Sequence, residues 1–148
     1  MNIIIENLQD KIPINSKKIK EVVIKVLSLE RIRKKGEITF CFVDDKRIKR
    51  LNLKYLDKNS PTDVLAFDIA WPKDSNIFAD IVISTDRAIA NAKSFRTAAM
   101  YELYLYVIHG LLHLLGYDDK TAKERKIMEN KANQILSTLN SNWLIVNG

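Results

Sequence analysis

An α+β fold, a small sheet with helices packed on it, is what this sequence predicts, and three observations carry the prediction. Strand-like runs cluster in the first half of the chain, and helical periodicities dominate the second. A chain of 148 residues, 47% hydrophobic and 28% charged, suits one domain around one core. No internal repeat, low-complexity tract or linker divides it.

The chain opens with Ile3, Ile4 and Ile5, a short β-rich run that Asn7 and Asp10 bring to an end. Asn15 or Ser16 then caps a helix whose apolar residues Ile19, Val22, Val23, Val26 and Leu27 fall on one face. Gly36 marks a break before a strand from Glu37 to Val43, where Ile38, Phe40 and Phe42 alternate with Thr39 and Cys41. Asp44 caps a helix through about Lys54, with Lys46, Arg47, Lys49, Arg50 and Lys54 around an apolar seam of Ile48, Leu51 and Leu53. The stretch from Asp57 to Thr62, with Asn59, Ser60 and Pro61, is a loop by composition.

Strands from Val64 to Phe67 and from Ala79 to Ser84 follow, with Trp71, Pro72 and Asp74 in the connection. Ser84 or Thr85 caps a helix to Ala92, and after Ser94 a long apolar helix runs to Leu115. Thr121 and Glu124 have capping-box spacing and open a last helix that buries Met128, Ala132, Ile135 and Leu139. The tail after Asn140 is expected to be loosely held. That reading amounts to about four strands and about five helices in one domain.

Composition narrows the function. The lone Cys41 cannot form an internal disulfide, so a reducing compartment, the cytoplasm, is expected. The first residues lack the basic start and long apolar run of a secretory signal. The segment from Ala98 to Leu115 is long enough to invite a membrane reading, but Glu102, His109, Gly110 and His113 interrupt it, which argues for a buried core helix and no membrane partner. A net charge of +6 and a pI near 9.4 suit a polyanionic partner. On the helix from Asp44 to Lys54 the same charges also read simply as a solvated face.

The chemistry concentrates between His109 and Asp119, which reads His-Gly-Leu-Leu-His-Leu-Leu-Gly-Tyr-Asp-Asp. The two histidines are the only ones in the chain, and residues four apart on a helix project from one face. Gly116 can end the helix and turn the chain back, which leaves Asp119 within reach of the histidine face. His109, His113 and Asp119 then form an N, N, O set with an open fourth position, the usual arrangement of catalytic zinc. A single histidine on an apolar helix is more often a satisfied core residue, but two on one face both need partners, and a shared metal meets that need. Tyr104, Tyr106 and Tyr117 read as packing residues with a wet hydroxyl.

Beyond this spacing, the same stretch, followed by Glu124, Met128 and Ile135-Leu136, resembles the signature of the YbeY family, metal-dependent endoribonucleases that mature ribosomal RNA. Leu51-Asn52-Leu53-Lys54-Tyr55 through Pro61-Thr62-Asp63-Val64-Leu65-Ala66-Phe67 is similar to that family's other motif, and Ala79-Asp80-Ile81-Val82-Ile83-Ser84 resembles a third block. The resemblance implies a zincin-like α+β domain with a small mixed sheet, and Zn²⁺, one per chain. It also implies single-stranded RNA as substrate, with ribosomal RNA and small-subunit proteins as partners, in RNA maturation and ribosome quality control.

Two positions depart from the family pattern. Asp119 stands where the family has His, so ligation by His109 and His113 carries over directly and the third ligand is inferred, with Asp118 as a competitor. Asp is an acceptable zinc ligand, but its charge lowers the net charge of the site and makes bound water less acidic. Leu56 stands where the family has an Arg held to grip RNA phosphate, and a leucine lacks the guanidinium fork. Lys58 or Arg96 is left to compensate, with Lys54 and the basic helix holding the RNA backbone.

Two other functions compete with the nuclease. One is a catalytically weak assembly factor with a structural metal. The other is a zinc peptidase, against which Gly110 stands where His-Glu-x-x-His enzymes keep their general base.

Overall fold

The computed structural model describes residues 1–69 and 76–139; the expected connection with Trp71, Pro72 and Asp74 and the tail after Asn140 lie outside the described residues. The elements run β1 (Asn2–Asn7), α1 (Ser16–Leu29), β2 (Gly36–Val43), α2 (Asp45–Leu56), β3 (Val64–Asp68), β4 (Ile77–Ser84), α3 (Thr85–Phe95), α4 (Ala99–Leu114) and α5 (Ala122–Ser137). The strands form one mixed sheet in the order β1-β2-β4-β3. β1, β2 and β4 are parallel, and β3 pairs antiparallel with β4. The architecture is therefore the α+β sheet-and-helix domain that the sequence predicts.

The strand alternation divides the helices between two faces. Ile38, Phe40 and Phe42 of β2 and Ala79, Ile81 and Ile83 of β4 are buried in the main core with the apolar stripes of α1, α4 and α5. Their neighbours Val43 and Val82 point the other way, into a smaller cluster with Ile48 of α2 and Leu65 of β3. The basic helix α2 thus covers the face of the sheet opposite α4. Leu103, Val107, Ile108 and Leu111 of α4 are fully buried, so truncating Leu103, Ile108 or Leu111 to alanine would cost ~2–5 kcal/mol.

The caps follow the local sequence. Asn15, Asp44 and Ser84 each accept a backbone N–H at the start of α1, α2 and α3, and Thr121 and Glu124 complete their reciprocal box on α5. The helix expected from Ser94 onward differs: α3 continues to Phe95, Arg96 takes a left-handed φ of 56°, and α4 starts only at Ala99. The expected boundary between two helices thus falls a few residues later than Ser94, where the left-handed Arg96 ends α3. No helix among the described residues is long and apolar enough to cross a membrane.

Candidate functional site

Helix α4 presents one stripe, Glu102, Leu105, His109 and His113, to a cleft of about 540 Å³. Next to His109, Gly110 is turned to the sheet. A Cβ there would lie 2.7 Å from Ile81 Cγ2 and 3.1 Å from Val64 Cγ2, so only glycine lets α4 settle this close to β3 and β4. The histidine-bearing turn is thereby set at a fixed height above the strands.

A second glycine brings the carboxylate back. Gly116, at φ 104°, ends α4 in a Schellman turn: its N–H bonds the His113 carbonyl at 3.1 Å, and the Tyr117 N–H bonds the Leu112 carbonyl at 3.0 Å. The Tyr117 hydroxyl donates to Glu30 Oε2 at 2.9 Å, and Lys131 Nζ lies 3.2 Å from Glu30 Oε1, so α1 and α5 both anchor the turn. Asp119 Oδ2 ends 3.5 Å from His113 Nε2. Asp118 is occupied differently. Its Oδ1 accepts the Asp119 N–H at 2.9 Å, its Oδ2 lies 3.9 Å from Lys120 Nζ, and it does not line the cleft.

Other elements supply the remaining charged walls. Asp63, in the lead-in to β3, accepts the Val64 N–H at 2.8 Å; Glu129 and Arg125 come from α5. Arg125 Nη1 donates to the carbonyls of Asp119 and Lys120 at 3.1 and 3.3 Å, which pins the loop that carries Asp119. Among the described residues, Asp63, Glu102, Asp119 and Glu129 against Arg125 alone give the cleft an acidic lining. Burial holds the His109 imidazole below its ordinary pKa of 6.5, with His113 adding to the effect and the Asp63 carboxylate opposing it. His109 is therefore neutral at physiological pH, with a lone pair to give.

Two imidazoles and a carboxylate have the donor chemistry of a zinc site, and all three line one cleft. Among the described residues, no three His, Cys, Asp or Glu side chains stand close enough to hold an ion as they are placed. His113 and Asp119 are already neighbours, with His109 one turn back on the same wall.

The expected phosphate-holding cations do not join them. Lys54 Nζ lies 5.2 Å over the Tyr55 ring, Arg96 is the left-handed residue that ends α3, and Lys58 is exposed in the loop after α2; none lines the cleft. The rest of the basic helix sits behind the sheet for a simple reason: the same seam of Ile48 and Leu51 that makes it amphipathic buries it against Val82 and Leu65. Sequence reasoning missed Asp63, Arg125 and Glu129 as site residues. The signal for the last two was their four-residue spacing beside the buried Met128 and Ala132, which puts them at the edge of the core stripe of α5. Tyr104 and Tyr106 are packed in the core as expected, but the Tyr106 hydroxyl is not wet: it donates to the Arg87 carbonyl at 3.3 Å.

Comparison with known proteins gives these residues a context. Residues 4–140 match the family model described as Endoribonuclease YbeY. Relatives of that name include one from Carboxydothermus hydrogenoformans, 37% identical over 136 residues that cover 91% of this chain and 95% of the relative. Another, from Thermoanaerobacter pseudethanolicus, is 36% identical over 156 residues, with 95% and 98% covered. The fold is similar to the solution structure of TM1509 from Thermotoga maritima, with a TM-score of 0.61 and 24% identity, over 95% of this chain and 93% of that one.

Proposed function

Because the chain belongs to the YbeY family of endoribonucleases, we propose that it is a metal-dependent, single-strand-specific endoribonuclease that matures ribosomal RNA and acts in ribosome quality control in the cytoplasm. Its metal is Zn²⁺, one per chain, held by His109, His113 and Asp119. The observation that carries this reading is the joint lining of one acidic cleft by two histidines and Asp119. Such a lining repels a phosphodiester unless a bound cation offsets it, and those three residues are donors suited to one.

When bound, the ion supplies a Lewis acid that makes water a better nucleophile and offsets charge on the phosphorus oxygens. The protein does the rest. Burial keeps His109 unprotonated, the turn at Gly116 aims Asp119, and Gly110 fixes the height of both imidazoles over the sheet. Arg125 spends one nitrogen on the loop carbonyls and retains further N–H donors for phosphate. It is the residue in place to do what the family's Arg does where this chain has Leu56. The cations of α2, on the far side of the sheet, attract RNA over distance and do not grip it at the cleft.

The substrate is single-stranded RNA, and the partners are ribosomal RNA and proteins of the small ribosomal subunit. Leu56, 49% exposed, favours a second reading as an assembly factor of low activity. One experiment tests both: metal analysis and cleavage of single-stranded RNA on the same purified sample. About one zinc per chain, with cleavage lost on chelation, is the expected result. Cleavage by metal-free protein would overturn the proposal, and zinc without cleavage would select the assembly factor.

A further inference from the structure

The cleft extends well beyond the histidines, and its other end has a different chemistry. Two helical turns before His109, roughly 10 Å along the axis, Glu102 lines the wall. It is only 3% exposed, and its Oε1 accepts the Thr97 hydroxyl at 2.9 Å. Leu105 and, from α5, Met128 and Ala132 add apolar wall to the same cleft beside Tyr101 and Asn133, and Phe95, also in its lining, is 67% exposed.

A cleft that joins apolar wall, an exposed aromatic ring and a buried carboxylate matches a nucleobase. The ring and the apolar wall offer stacking surface, which every base can use. The carboxylate offers selection. Ionised, it accepts hydrogen bonds and donates none, and its two oxygens retain lone pairs beyond the one that Thr97 uses. Of the four RNA bases only guanine presents two adjacent N–H donors, N1–H and N2–H, along one edge. Adenine and cytosine place a ring nitrogen acceptor beside their amino group, and uracil flanks its single N–H with two carbonyls.

Resting on the nuclease reading above, we propose that the Phe95–Glu102 end of the cleft is a guanine subsite, which holds the base of the nucleotide beside the scissile phosphate. Phe95 stacks on the base and Glu102 reads its edge, so cleavage falls next to guanosine in single-stranded RNA. The helical rise from Glu102 to His109, roughly 10 Å, is comparable to the reach of one nucleotide from base edge to phosphate.

Neutral nucleosides test this without metal or cleavage, since they escape repulsion by the acidic lining. Guanosine, inosine, adenosine, cytidine and uridine are titrated into the metal-free protein and followed by NMR. Guanosine is expected to bind roughly tenfold or more tightly than adenosine, cytidine or uridine, with inosine, which lacks the N2 amino group, in between. Glu102→Gln should erase the guanosine preference, and Phe95→Ala, a surface change that leaves the core intact, should weaken all five nucleosides alike.

Equal binding of the five, no binding of any, or a preference that survives Glu102→Gln would overturn the subsite. Cleavage of single-stranded RNA is measured alongside. Guanosine preference without cleavage keeps the subsite and removes the nuclease reading; cleavage without nucleoside preference does the reverse.

Discussion

The two faces of the sheet carry opposite charge. On one, α4 and α5 enclose a cleft walled by Asp63, Glu102, Asp119 and Glu129, with Arg125 the one cation among the described residues of its lining. On the other, α2 exposes Lys46, Arg47, Lys49, Arg50 and Lys54 along a single helix. The chain's net charge of +6 is thus a property of its outside and has the wrong sign for its cleft. A charge run marks where solvent is, because an amphipathic helix must turn its lysines outward, whereas a site assembles charges one at a time from separate elements. The contrast also separates two roles, attraction over a distance and contact at the reacting atoms, which mutation can test apart.

The largest effect should come from the cleft's donors. His113→Ala is expected to reduce cleavage of single-stranded RNA roughly a thousandfold or more and to strip the metal, read by nuclease assay and metal analysis. Unchanged cleavage by this variant would mean that the acidic face is not the reactive one. Arg125→Ala comes next. It should raise KM roughly tenfold to a hundredfold, the value of charge-assisted phosphate contacts. The matched change on the other face, Lys46, Lys49 and Arg50 together to Ala, should raise KM only about threefold at low salt, with the difference fading as salt is added. The reverse ranking would put the RNA on the back of the sheet.

Gly110→Ala sharpens the contrast through geometry. Helix propensity favours alanine by about 1 kcal/mol. Against that, the added methyl meets Ile81 Cγ2 and Val64 Cγ2, branches close to the backbone that cannot swing away, at an overpacking cost of ~1–3 kcal/mol. The net expectation is a lower Tm together with impaired cleavage; a raised Tm would show that α4 has room to lift.

The smallest effect concerns the anchoring of α2. The Asp86 carboxylate accepts the Asp45 N–H at the start of α2 and is bridged by Lys11. Burial pushes the Asp86 pKa up, but those hydrogen bonds and the charge of Lys11 outweigh it and leave the pKa below 3.8. Its stabilisation is therefore complete above 3.8 and drains away as pH falls through the folded value. Asp86→Asn should lower Tm slightly at neutral pH and not at all in strong acid, which thermal melts at the two pH values would check.

Much of this was legible in the sequence because it is local. The strands of Ile38-Phe40-Phe42 and Ile81-Ile83, the stripe of α1, the capping box at Thr121 and the histidine pair are all set by periodicities within one element. The exact place of the break between α3 and α4 was not, since it depends on the left-handed Arg96 and on Thr97 turning to meet Glu102. The acidic walls of the cleft were hidden for a related reason. Asp63 and Glu129 are far apart in sequence and reach the histidines only once β3 and α5 are packed around α4. That Asp119 and not Asp118 lines the cleft follows from which of two adjacent carboxylates the turn leaves facing inward.

Gly110 also bears on descent. Exchanging it for glutamate would write His-Glu-x-x-His in a single step, and on paper that step converts the motif proposed here for an RNA hydrolase into the one that zinc peptidases carry. Here the new side chain would run into Ile81 and Val64. The strand residues would have to shrink before the helix residue could grow, and each of those earlier changes would open a void in the core with no new activity to favour it. The two chemistries are neighbours in sequence but lie on opposite sides of a packing barrier.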